Sequence, residues 1–148
     1  MNAGELEAEF AELELEGFDA AAAWRLGVLL VDLAQGQPVV IDIRTADRVL
    51  FHAALPGSAP LNDLWAHRKS NTALMFQLPS MLVAARNMAK GEPLDKHGLD
   101  GADYADSGGA VPIRVRGVGV VAVATVSGLP QVEDHRLVVR AIRALAQG

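Results

Sequence analysis

The sequence has no cysteine. That excludes disulfides, thiolate zinc sites and cysteine nucleophiles together, and it is compatible with a reducing cytoplasm. A basic stripe is also missing, which argues against a nucleic-acid partner. No apolar run approaches the length of a membrane span; Val28 to Val31, for one, is far too short and sits inside an amphipathic pattern. The N-terminus lacks the positive start and apolar stretch of a signal peptide, so the expectation is a soluble cytoplasmic protein. There is no Gly-x-Ser-x-Gly elbow. Ser107-Gly108-Gly109 is followed by no Gly-Lys-Ser/Thr, and Arg116-Gly117-Val118-Gly119 lies between strands without a third glycine, so it reads as a hairpin turn. Among the four histidines, His52, His67, His97 and His135, no pair has metal-ligand spacing. No carboxylate pair for acid–base work is identifiable, and no catalytic residue can be named.

What is present is a chain of 148 residues, 51% hydrophobic, of a size and composition that predict one folded domain. The net charge of −5 is unevenly spread: residues 5 to 16 hold six glutamates and no base. Outside that run the charges nearly balance. The run predicts a solvated acidic arm or short helix over residues 1–18, ahead of a single domain over 19–148.

Leu6, Phe10 and Leu13 recur at helical spacing, which predicts a helix over 5–15 ending at Gly17. Asp19 is placed to cap a second helix, Ala20 to Gln35, whose apolar face is read as Trp24, Val28, Val31 and Leu33. The period then changes. Val39–Ile43 and Val49–Ala53, with a short polar gap between them, predict an antiparallel hairpin. Asn62 or Asp63 can cap a helix running to Gln77, and Met81 to Lys90 continues after Pro79-Ser80. Residues 91–109 form a long connection, and loops of that length usually have a job. Pro112–Arg116 and Gly119–Val126 predict a second hairpin, its apolar inner strand central in the sheet. Pro130 opens a last helix over 131–146. Hairpins rather than strand–helix–strand crossovers predict an α+β fold, an antiparallel sheet with flanking helices.

The densest polar group is Trp65, Arg68, Lys69 and Asn71. Positions 65, 68 and 69 share a helical face, which pairs a flat apolar platform with two cationic donors suited to carboxylates. The competing reading is a surface helix whose tryptophan docks on the sheet while its charges reach water. Asp63 and His67 are four apart on the same helix and suit a side-chain hydrogen bond better than a metal. His52, at a strand end beside Phe51, suits either a haem ligand or a satisfied structural histidine. His135, in the first turns of the last helix, reads as a capping or packing residue.

At this point a family pattern is legible. The run Trp65–Phe76 with Gln77-Leu78-Pro79-Ser80, then Gly108-Gly109-Ala110-Val111-Pro112-Ile113, Val120–Gly128 and Glu133-Asp134-His135, resembles in order the motifs of the HbpS-like haem-degrading family, which also includes GlcG-like and PduO C-terminal-like domains. Its stand-alone branch of uncharacterised proteins is similar also in Phe51–Gly57 and in Gly98-Leu99-Asp100 with Tyr104. The resemblance covers about residues 20 to 146. It implies a profilin-like sheet assembled into closed homo-oligomers. It also implies a ligand-facing site at Lys69 with Arg68 and Asn71, and His52 and Arg114 are second choices on position. The expected ligand is a small anion, haem or another tetrapyrrole, with no cofactor fixed by the residues. A homo-oligomeric structural or interaction protein is the alternative, and a haem-degrading or small redox enzyme ranks third.

Overall fold

The computed structural model describes residues 1–148. Five α-helices and five strands follow one another as α1 (Ala3–Ala11), β1 (Glu14–Leu15), α2 (Ala20–Ala34), β2 (Val40–Arg44), β3 (Val49–Ala54), α3 (Pro60–Phe76), α4 (Ser80–Lys90), β4 (Ala110–Val115), β5 (Gly119–Ser127) and α5 (Gln131–Gln147). One 3-10 turn, Leu94–His97, interrupts the long connection before β4. The sheet order is β1-β4-β5-β2-β3. Both predicted hairpins form, β2 with β3 and β4 with β5, and the apolar strand β5 lies at the centre of the sheet. All pairings are antiparallel except that of β1 with β4. The α+β architecture with flanking helices is therefore the one the alternation of hairpins and helices predicts.

Besides α3, which starts at Pro60 so that Asn62 and Asp63 lie within its first turn rather than at its cap, two elements differ from expectation. The helix expected over 5–15 stops at Ala11, because Leu13 and Leu15 turn into the core and the chain pairs with β4 instead of continuing its spiral. Leu6, Phe10, Leu13 and Leu15 are all buried, so this segment is packed onto the sheet and α4 while most of its glutamates face water. Glu9 is the exception. Its Oε1 lies 2.6 Å from Nε2 of His135, which is buried in α5. Secondly, α2 buries a different face. Asp19 caps it as expected, accepting from the Ala22 amide at 2.8 Å. Its core stripe, however, is Ala23, Leu26, Leu30 and Ala34, while Trp24 and Val28 stay more than half exposed. Small residues let α2 approach closely: a Cβ on Gly27 would come within 2.4 Å of the Phe51 ring. The larger side chains Trp24 and Val28 are left outside.

The two sides of the sheet are built differently. Side chains alternate along a strand. On β2, Ile41 and Ile43 enter the main apolar core beneath α2 and α5, with Val111, Ile113, Ala124 and Val126. Asp42 points the other way and is fully buried, and its register neighbour on β5 is Thr125, also fully buried. Thr125 Oγ1 meets Ser70 Oγ of α3 at 2.8 Å, while Ser70 Oγ also reaches the Ala66 carbonyl at 2.7 Å. The layer under α3 thus carries buried polar groups, and each must find a partner within it.

Candidate functional site

That polar layer converges on Lys69. The side chain is 2% exposed, and its Nζ donates to the Gly108 carbonyl at 3.0 Å, the Val126 carbonyl at 2.7 Å and Asp134 Oδ2 at 3.2 Å. Three acceptors use all three hydrogens of an ammonium, so the amine is held in its charged form. Asp134 in turn accepts from the amides of Gly128 at 3.3 Å and Leu129 at 3.0 Å. Burial pushes the Lys69 amine down and the Asp134 carboxyl up from their ordinary ranges, and the ion pair opposes both shifts. Gly109 is needed here. Its φ is +137°, and a Cβ on it would lie 2.4 Å from both Lys69 Nζ and the Val126 carbonyl oxygen. The lysine of α3, the Gly-Gly step, the end of β5 and the start of α5 therefore meet at one nitrogen.

Above this junction lie two adjoining hollows that share Trp65 and Ser107 as walls. The first, about 250 Å³, is lined also by Asn62, Lys69, Ser127, Gln131 and Asp134. The second, about 360 Å³, lies under the 91–109 connection and is lined by Arg68, Leu94, Leu99 and Tyr104 among others. Arg68 stacks on Trp65, its Cζ 4.3 Å from the ring centroid. Its single hydrogen bond is a long one, 3.4 Å to the Tyr104 carbonyl, and its Nε is buried without a partner. Asp95 and Asp106 also line the second hollow, so its attraction for an anion is confined to Arg68.

Of the residues the sequence singles out, the structure brings Trp65, Arg68 and Lys69 to this cleft. The other three lie elsewhere. Asn71 donates to the Asp103 carbonyl at 2.9 Å and pins the long connection. Arg114 stacks on Phe10, Cζ 3.8 Å from the ring centroid, and donates to the Phe10 carbonyl; it lines a separate hollow with Glu7 and Gln77. His52 projects from β3 and has both ring nitrogens engaged, Nδ1 with Asp42 and Nε2 with Asp63, each at 2.7 Å. Asp63 and His67 do not bond each other. They join this second network separately, His67 through Arg44 at 2.9 Å.

Sequence reasoning missed Asn62, Ser107, Ser127 and Gln131 as cleft residues, since none has a distinctive spacing. It also missed Asp42, although a carboxylate inside the apolar run Val39–Ile43 is itself a signal: a buried acid requires a partner.

The comparisons with known proteins agree with this architecture. Residues 18–143 match the family model described as haem degrading protein HbpS-like. The chain is 51% identical over 141 residues to the UPF0303 protein SCO2848 of Streptomyces coelicolor, covering 93% of this chain and 89% of that protein. It is 43% identical over 132 residues to a UPF0303 protein of Rhizobium etli, covering 88% and 80%. Among solved structures, the Ybr137w protein is 32% identical and superposes with a TM-score of 0.89, covering 99% of this chain and 88% of that one. A PduOC–haem complex shares the fold at 19% identity and a TM-score of 0.72, covering 86% and 94%. With the four motifs of its sequence gathered around Lys69 and its fold shared with these structures, the chain belongs to the HbpS-like family, and UPF0303 proteins are among its similar relatives.

Proposed function

We propose that this protein binds a small anionic ligand in the cleft at Trp65 and Arg68, and that haem, held by a propionate, is the ligand to test first. The observation that carries the reading is the state of Arg68: a guanidinium stacked on an indole, making one long hydrogen bond, with a buried N–H unpaired. A buried donor left unmade is costly, and since Arg68 lines the hollow, a turn of its side chain would offer that N–H to a ligand carboxylate. The haem-bound PduOC structure, on the same fold, supports the choice of ligand. The residues fit a propionate and a ring face. They offer no axial nitrogen, since no histidine lines either hollow and His52 has none free. Bound haem would supply redox-active iron, and Arg68 and Trp65 would hold its edge. Lys69, with its hydrogens committed, supports the floor rather than grips the ligand.

The test is a haemin titration followed by absorbance. Saturable, stoichiometric binding is expected, weakened about tenfold or more by Arg68→Ala, the loss of one charge-assisted hydrogen bond. Uptake that does not saturate, or is equal in both proteins, would overturn the reading.

A second reading, a homo-oligomeric interaction protein, is favoured by a separate observation. Trp24 and Val28 lie exposed on α2, over strand β3, which has no neighbour on its outer side. Exposed apolar surface beside an open edge suits a second copy of the chain. Light scattering is expected to show an oligomer that Trp24→Glu with Val28→Glu weakens, and a monomeric parent protein would rule it out.

A further inference from the structure

The first two turns of α3 have little apolar anchorage. Leu61 and Leu64 are 61% and 50% exposed, and the first buried residue of the helix is Ala66. What ties these turns to the sheet is a continuous chain of polar side chains. Asp63 Oδ1 meets His52 Nε2 at 2.7 Å, and His52 Nδ1 meets Asp42 Oδ1 at 2.7 Å. Asp42 also takes the fork of Arg44, whose Nη1 lies 2.9 Å from His67 Nδ1. Asp63 and His67 are one turn apart and form the sheet-edge face of the helix. Asn62, Trp65 and Lys69, at steps of three and four, form the face that lines the cleft.

We propose that His52 is a proton-operated latch: protonated, it holds the start of α3 against β3 and so fixes Asn62 and Trp65 in the cleft wall, and deprotonated, it lets that wall loosen. The latch rests on the ligand reading above only in making it a control on ligand access; the mechanical step stands without it.

The chemistry is that of a ring between two acceptors. Only the imidazolium donates from both nitrogens; the neutral ring carries one N–H and turns a lone pair towards the other carboxylate. The groups facing His52 are Asp42 and Arg44 from β2 and Asp63 and His67 from α3. Asp42 has no solvent exposure, whereas Asp63 stands partly in water. Leaving the buried carboxylate short of a donor costs more than turning Asp63 to solvent, so the remaining proton stays on Nδ1 and the bond to Asp63 is the one lost. Burial lowers the His52 pKa, the bonds to Asp42 and Asp63 raise it, and the net shift is upward. The latch is therefore closed below the ordinary histidine value of about 6.5 and opens as pH rises through the raised one.

The experiment uses the full chain without ligand. With Trp24→Phe as the parent, Trp65 is the only tryptophan, and its emission is followed from acid to alkaline pH. A single red-shifting transition above about 6.5 is expected. It should vanish in Asp63→Asn and in His52→Gln and persist in His67→Gln. A flat curve in the parent, the same transition in Asp63→Asn, or its loss in His67→Gln would each overturn the latch. Because no haemin is present, the two proposals fail separately. Haemin that does not bind, with the transition intact, removes only the ligand reading. A missing transition with haemin binding intact removes only the latch.

Discussion

Lys69 is more informative for what it holds than for what it could grip. A buried ion pair adds little net stability against a well-packed apolar substitute, but removing one partner strands the other charge in the interior. Lys69→Met is accordingly expected to cost about 3–5 kcal/mol in urea unfolding, because Asp134 loses its counter-ion. Lys69→Met combined with Asp134→Leu should cost clearly less than Lys69→Met alone. A single-variant loss below about 1 kcal/mol, the size of an ordinary surface pair, would show that the junction is not structural. The sequence made each of these residues conspicuous, as a family lysine, a Gly-Gly step, a strand exit and an acid-bearing helix start. It could not show that they meet, because the partners of Lys69 lie 39, 57 and 65 positions away and sheet register brings them together. Trp65 and Arg68 were legible for a local reason: an aromatic and a cation at helical spacing three are neighbours on any α-helix.

At the level of elements, existence and order were readable except for β1, which was read as the end of a helix, and faces were not. Hairpins announce themselves through period and turn residues. The buried side of α2 was misread because the chain offers two stripes, and residue size pointed to the wrong one: close approach to Phe51 selects the small residues. The two histidines with buried or bridging contacts, His135 on α5 and His52 on β3, give opposite pH responses. His135 of α5 is buried beside Glu9, its Nδ1 has no partner, and burial pulls its pKa down despite the carboxylate. The unfolded chain then binds the proton more readily than the folded one, so stability falls as pH drops below about 6.5. His52 has a raised value, so its contribution is full below about 6.5 and is lost as pH rises past the shifted pKa. The urea midpoint is expected to peak just above 6.5, with His135→Gln flattening the acid limb and His52→Gln the alkaline one. If both variants keep the limb assigned to them, these two histidines are not its source.

Across the whole molecule, the sheet separates an apolar layer from a polar one. Composition indicated that a core of adequate size exists, but not that the layer under α3 would be stitched by Asp42, Thr125, Ser70 and Lys69. No helix is long and apolar enough to cross a membrane. The parallel pairing of β1 with β4 joins Glu14 to Arg114 and Leu15 to Val115, and the contact of Glu9 with His135 spans 126 positions. During synthesis the acidic segment is made before β4 and α5, yet its place on the sheet does not exist until both have emerged. Until then the edge of β4 stays open to other strands, and the return of this segment is what closes it.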